Sequence, residues 1–67
     1  MFDLKTAREE KGMTQLDLAI KARLSRQAVS QFENGTIKPS VKVAKVIAEI
    51  LGFDWTKFYE DNSQNKR

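Results

Sequence analysis

The sequence predicts an all-α fold, a compact bundle of five short helices. Three observations lead there: apolar residues recur at helical spacing, cap or stop residues punctuate the candidate helices, and no strand alternation, repeat or interdomain linker interrupts them. Leu4, Ala7 and Lys11 follow the spacing of a first helix, which Gly12 can end in the left-handed conformation. Thr14 is a good N-cap for a second, with Asp17 where its charge favours the helix N-terminus. Leu18, Ala19 and Ala22 supply its inner face. Ser25 caps a third helix that runs to about Glu33 and stops at Asn34-Gly35. Pro39 and Ser40 introduce a fourth, through Leu51, closed by Gly52, and Asp54 caps a short fifth from Trp55 to about Glu60.

Length sets the scale of what these helices can do. Sixty-seven residues support one domain with a small core and leave no room for a separate catalytic or regulatory domain. Residues 1–60 are expected to form that domain, and the polar stretch 61–67 a disordered tail. Cysteine and histidine are absent, which excludes thiol chemistry and offers no metal cage, covalent nucleophile or general base; no glycine-rich phosphate loop occurs either. The reading is a non-enzyme without metal or cofactor. No apolar run approaches the roughly 20 residues of a membrane span, and Asp3 with the charged segment 8–11 breaks any signal-peptide pattern, so a cytoplasmic chain is expected.

Charge is unevenly placed. Residues 21–45 hold Lys21, Arg23, Arg26, Lys38, Lys42 and Lys45 against Glu33 alone, whereas both flanking segments are slightly acidic. A local excess of this kind suits a phosphate backbone, where each neutralised phosphate releases counterions. It coincides with the second and third helices, which surround a tight turn within residues 14–35. A helix fits the major groove of duplex DNA, and the outward face of the third helix carries Arg26, Gln27, Ser30 and Gln31 while Val29 and Phe32 point to the core. Arginine can give two hydrogen bonds to guanine, and glutamine can pair with adenine. Those four are the candidate base-reading residues.

At this point the chain resembles the phage repressor and Cro-type helix-turn-helix proteins, also called XRE-like regulators. The resemblance rests on Thr14-Gln15, Leu18-Ala19, Ser25 and Glu33-Asn34-Gly35 in order, with Arg8, Pro39, Ile47-Ala48 and Leu51-Gly52 around them. It covers residues 4 to about 59 and implies a lambda-repressor-like domain with its helix-turn-helix at helices two and three. It implies the same base-contacting positions, 26, 27, 30 and 31. It further implies that Arg8 and Glu33 form a structural ion pair tying the first helix to the end of the third. Two positions depart from the family pattern: Arg23 stands where glycine is usual, which implies backbone strain or an altered turn, and Ala44 where leucine is common, a gap for Trp55 or Phe32 to fill.

A second group is expected to hold phosphates and set register. Gln15 lies at a helix N-terminus, where unpaired N–H groups favour an anion; Arg23 and Ser25 precede the third helix, and Asn34, Thr36 and Lys38 follow it. On the fourth helix Val41, Ala44, Ile47, Ala48 and Leu51 make an inward stripe, yet Val43, Val46 and Ile50 form another. Either the fifth helix covers the second stripe with Trp55 and Phe58, or it builds a homodimer interface with Tyr59 near the edge. Such a dimer would present two reading helices about 34 Å apart to a palindromic operator. Leu16 and Ile20, apolar at i and i+4, are either partly buried or a contact for another protein. The expected function is a transcriptional regulator, a repressor by default, that binds double-stranded DNA; the competing class is a protein-interaction module, such as an antitoxin or adaptor, on the same scaffold.

Overall fold

Every helix of the computed structural model starts on a residue that satisfies the backbone donors left open there. The structure describes residues 2–62. Four α-helices, α1 Leu4–Glu10, α2 Gln15–Ala22, α3 Arg26–Asn34 and α4 Val41–Leu51, are followed by a 3-10 helix, Trp55–Asn62. The Asp3 carboxylate accepts from the Lys5 N–H at 3.0 Å and from the Thr6 hydroxyl at 2.9 Å. Thr14 and Asp17 form a reciprocal capping box, each side chain accepting from the other's N–H at 3.0 Å. The Ser25 and Ser40 hydroxyls cap α3 and α4, accepting from the Ala28 and Val43 N–H groups. Asp54 does the same for Thr56 at 3.0 Å.

The helix ends are equally local in origin. Gly35 and Gly52 close α3 and α4 with φ of 79° and 80°, a region where a Cβ would collide with the following carbonyl. Arg23 closes α2 in the same region, at φ 60° and ψ 44°, so of the two outcomes expected here, a strained backbone or an altered turn, the chain takes the strained left-handed one. Residues 24 and 25 then lead directly into α3.

α2 packs against α3 and α4, α1 against α3, and α4 against the 3-10 helix. Leu18, Val29 and Ile47 are wholly enclosed where these elements meet, with Leu4, Ala19, Ala44, Leu51 and Phe58 around them. Ala44 is wholly buried, and Phe32 and Trp55 both pack against the same cluster. An aromatic trio closes the far end: Phe2 lies 4.5 Å from Phe53 and 5.4 Å from Phe58, ring centre to ring centre.

Two expectations change. The fifth element is a 3-10 helix, with sequence-local capping by Asp54 but a tighter wind than an α-helix, and it extends to Asn62, two residues past the expected tail boundary. The rest of that tail, 63–67, lies outside the described residues. Val41 is not part of the inward stripe: as the first residue of α4 it is 49% exposed, and the buried face begins one turn on at Ala44. Ala22, half-buried, packs against the core from the inner face of α2, as expected.

Hydrogen bonds from capped or neighbouring groups hold the carboxyls of Asp3, Asp17 and Asp54 below the usual carboxylate range, the largest causes being Thr6, Thr14 and Thr56 respectively. A carboxyl whose pKa is lower folded than unfolded stabilises the fold above its unfolded value and loses that effect as pH falls through the folded one. Stability should therefore be flat from neutral pH to about pH 5 and decline below about pH 4. Urea midpoints measured against pH should show this slope, and replacing all three aspartates by asparagine should reduce it.

Candidate nucleic-acid interface

The third helix is fixed from beneath by Val29, which has no exposed surface, and by half-buried Phe32. Helical geometry then turns positions 26, 27, 30 and 31 outward as one ridge. Arg26 and Gln27 are exposed; Ser30 and Gln31, nearer the body of the domain, are half-buried. Among the described residues none of these four side chains has a hydrogen bond or ion pair within the chain, so their donors and acceptors face outward unspent.

Orientation of this ridge is set by Glu33, at the other end of α3. Its carboxylate receives the Arg8 guanidinium through Nε at 2.6 Å and Nη2 at 3.3 Å, a two-pronged ion pair with side chains only 8% and 5% exposed. Arg8 also donates from Nη1 to the Met13 carbonyl at 2.7 Å, and the Glu33 hydrogen bond raises the arginine pKa further. Gln15 Nε2 donates to the second Glu33 oxygen at 3.0 Å. One carboxylate thus joins α1, the start of α2 and the end of α3.

The structure distributes the remaining candidates unevenly. Gln15 stands at the first position of α2, half-buried, with its amide nitrogen donating one hydrogen bond to Glu33. Its bond to Glu33, eighteen residues away, carries no signal that spacing could reveal. Arg23, Ser25, Asn34 and Thr36 are exposed on both flanks of α3. The Lys38 ammonium donates to the Phe58 carbonyl at 3.1 Å, linking the loop after α3 to the 3-10 helix. On α4, Val43 and Ile50 are half-buried against the core while Val46 is 37% exposed. The Tyr59 hydroxyl donates to the Pro39 carbonyl at 2.7 Å, and Lys45 lies 5.1 Å from the centre of the Trp55 ring. Leu16 and Ile20 stand out from α2 at 53% and 67% exposure. No described helix is long and apolar enough to cross a membrane.

A polar helix presented outward, braced by a second helix across a three-residue turn, defines a helix-turn-helix domain. Residues 4–58 match the helix-turn-helix family, and the chain belongs to that family, in its XRE type. It is 55% identical over 58 residues to a Bacillus subtilis (strain 168) protein named "Uncharacterized HTH-type transcriptional regulator YqaF", covering 87% of this chain and 76% of that protein. A Yarrowia lipolytica (strain CLIB 122 / E 150) protein named "Putative multi-protein-binding factor 1" is 38% identical over 45 residues, 67% of this chain and 30% of that one. No solved structure gives a significant match.

Removing the Glu33 carboxylate strands a buried guanidinium with the Met13 carbonyl alone. Glu33→Ala should lower the unfolding free energy by about 3 kcal/mol, the size expected when one partner of a buried pair is lost. Urea denaturation at neutral pH measures it; a loss under about 1 kcal/mol would place the pair with exposed ion pairs instead.

Proposed function

We propose that this chain binds duplex DNA in the major groove through α3 and regulates transcription, as a repressor that occupies a palindromic operator as a homodimer. The observation that carries the reading is the ridge of Arg26, Gln27, Ser30 and Gln31, whose hydrogen-bonding groups are left without intramolecular partners on a helix anchored by Val29. A surface with no stake in the fold is available for base edges. Membership of the helix-turn-helix family and the regulator name carried by the Bacillus relative support the same reading.

Roles follow from position. Arg26 suits guanine, Gln27 and Gln31 suit adenine, and Ser30 is more permissive. Gln15, Ser25, Asn34 and Thr36 flank the ridge and serve the phosphates, with Gln15 already braced by Glu33. Lys38 contributes positive charge to this side while its ammonium also holds Phe58. Repression by blocking polymerase is the simplest consequence of occupying a promoter.

The dimer reading rests on α4. Val46 is exposed beside half-buried Val43 and Ile50, an apolar strip that the 3-10 helix leaves partly uncovered, with Tyr59 pinned at its border by Pro39. Exposure of Leu16 and Ile20 supports a second reading, a protein-interaction module such as an antitoxin or adaptor that contacts its partner through α2. In that case salt-dependent affinity for promoter fragments would be absent.

Selection of bound duplexes from a random library, followed by binding measurements, tests the proposal. Arg26→Ala and Gln31→Ala should each lose about 1–3 kcal/mol of discrimination at one base pair of each half-site, whereas Gln15→Ala should weaken all sequences alike. Parental behaviour of all three variants would refute the assignment of this face. Val46→Lys places a charge in the apolar strip; sedimentation should then show monomers, and binding to a two-half-site duplex should fall while binding to a single half-site is kept.

A further inference from the structure

Arg23 is the only non-glycine residue with positive φ among the described residues; the other three such positions are Gly12, Gly35 and Gly52. An L side chain there presses its Cβ on the following carbonyl, and glycine would remove that strain at the same turn. The backbone N–H already has its acceptors, the Ala19 and Ile20 carbonyls, and would keep them in a glycine turn. The long side chain gives nothing back to the fold: among the described residues the exposed Arg23 guanidinium has no hydrogen bond, ion pair or aromatic contact. Lys21 and Arg26, its exposed neighbours along the chain, share its sign, so neither offers it an ion pair.

A residue that strains its own turn, with no compensating contact inside the chain, has its favourable partner outside it. That partner is anionic. Arg23 sits off the α3 ridge, at the turn that leads into it, where a chain with α3 in a groove meets the sugar-phosphate strand that borders the groove; a guanidinium matches phosphate oxygens with two parallel donors. We propose that Arg23 is a DNA-backbone contact, retained although glycine would make the domain more stable. It supplies affinity without sequence preference. The inference rests on the DNA-binding reading above.

Arg23→Gly and Arg23→Lys, measured beside Arg26→Ala on the same selected duplexes, test it. Arg23→Gly should raise the urea midpoint and at the same time weaken binding to every duplex. Its plot of log affinity against log salt should be shallower by about 0.9, so that the parent loses about 3.5-fold more affinity than the variant between 50 and 200 mM salt. Arg23→Lys should keep the parental slope and the parental midpoint, since it keeps both the charge and the strain. A glycine variant with the parental salt slope overturns the phosphate contact, and one with a lower urea midpoint overturns the strained-turn premise. If Arg26→Ala still alters base preference in either case, the DNA reading stands and only the role of Arg23 falls; if the parent binds no duplex in a salt-dependent way, both fall.

Discussion

The position of α3 depends on one carboxylate. Glu33 accepts from Arg8 on α1 and from Gln15 on α2 while belonging to α3, so three helices share a single acceptor group. Burying two charges in a small domain is costly, and mutual attraction offsets it only when geometry is good and remaining donors are satisfied. Both conditions hold here: the guanidinium makes two bonds to the carboxylate and one to the Met13 carbonyl. A hydrophobic replacement could fill the same volume, but it would not fix direction. Hydrogen-bond angles do, and the pitch of α3 against α2 is what a groove-reading face requires.

The rest of the domain is held by means suited to its size. A chain of 67 residues without cysteine has a core too small to be generous, and its wholly enclosed large side chains are Leu18, Val29 and Ile47. Caps therefore carry a large share of the specification, since each satisfies orphan N–H groups at a defined residue and fixes where a helix begins. The aromatic trio of Phe2, Phe53 and Phe58 joins the N-terminal segment to the 3-10 helix, and Lys38 and Tyr59 add polar ties from the loop after α3 to that same helix. None of these contacts uses a side chain of the α3 ridge, so closing the domain does not consume the donors that face outward.

Legibility in the sequence followed the range of each interaction. Thr14 with Asp17, Ser25, Ser40, and the glycines at 35 and 52 act within four residues, and the elements they bound were readable from them. The ridge at 26, 27, 30 and 31 was readable because helical period and the enclosed Val29 leave it one side to occupy. Asp3 was read only as a charge although it caps α1, and Phe2 lies before any periodic segment, so its packing on Phe53 and Phe58 left no pattern. Spacing placed Val41 inside because period counts residues without knowing where the neighbouring helices end. The bond from Gln15 to Glu33 is set by tertiary placement, and no local rule contains it.

The places where this chain breaks local rules are not scattered. A left-handed arginine lies between α2 and α3, a buried ion pair grips the end of α3, and a half-buried glutamine at the start of α2 joins that pair. Elsewhere the chain obeys: glycine takes the other positive-φ positions, and aspartate, serine and threonine take the caps. When backbone and charge preferences fail together around one turn and one helix end, selection for something other than stability is the economical account of that region. The two helices concerned are those that set and present the ridge. Sequence logic and site geometry thus point to the same pair of helices, one by its exceptions and the other by its unpaired side chains.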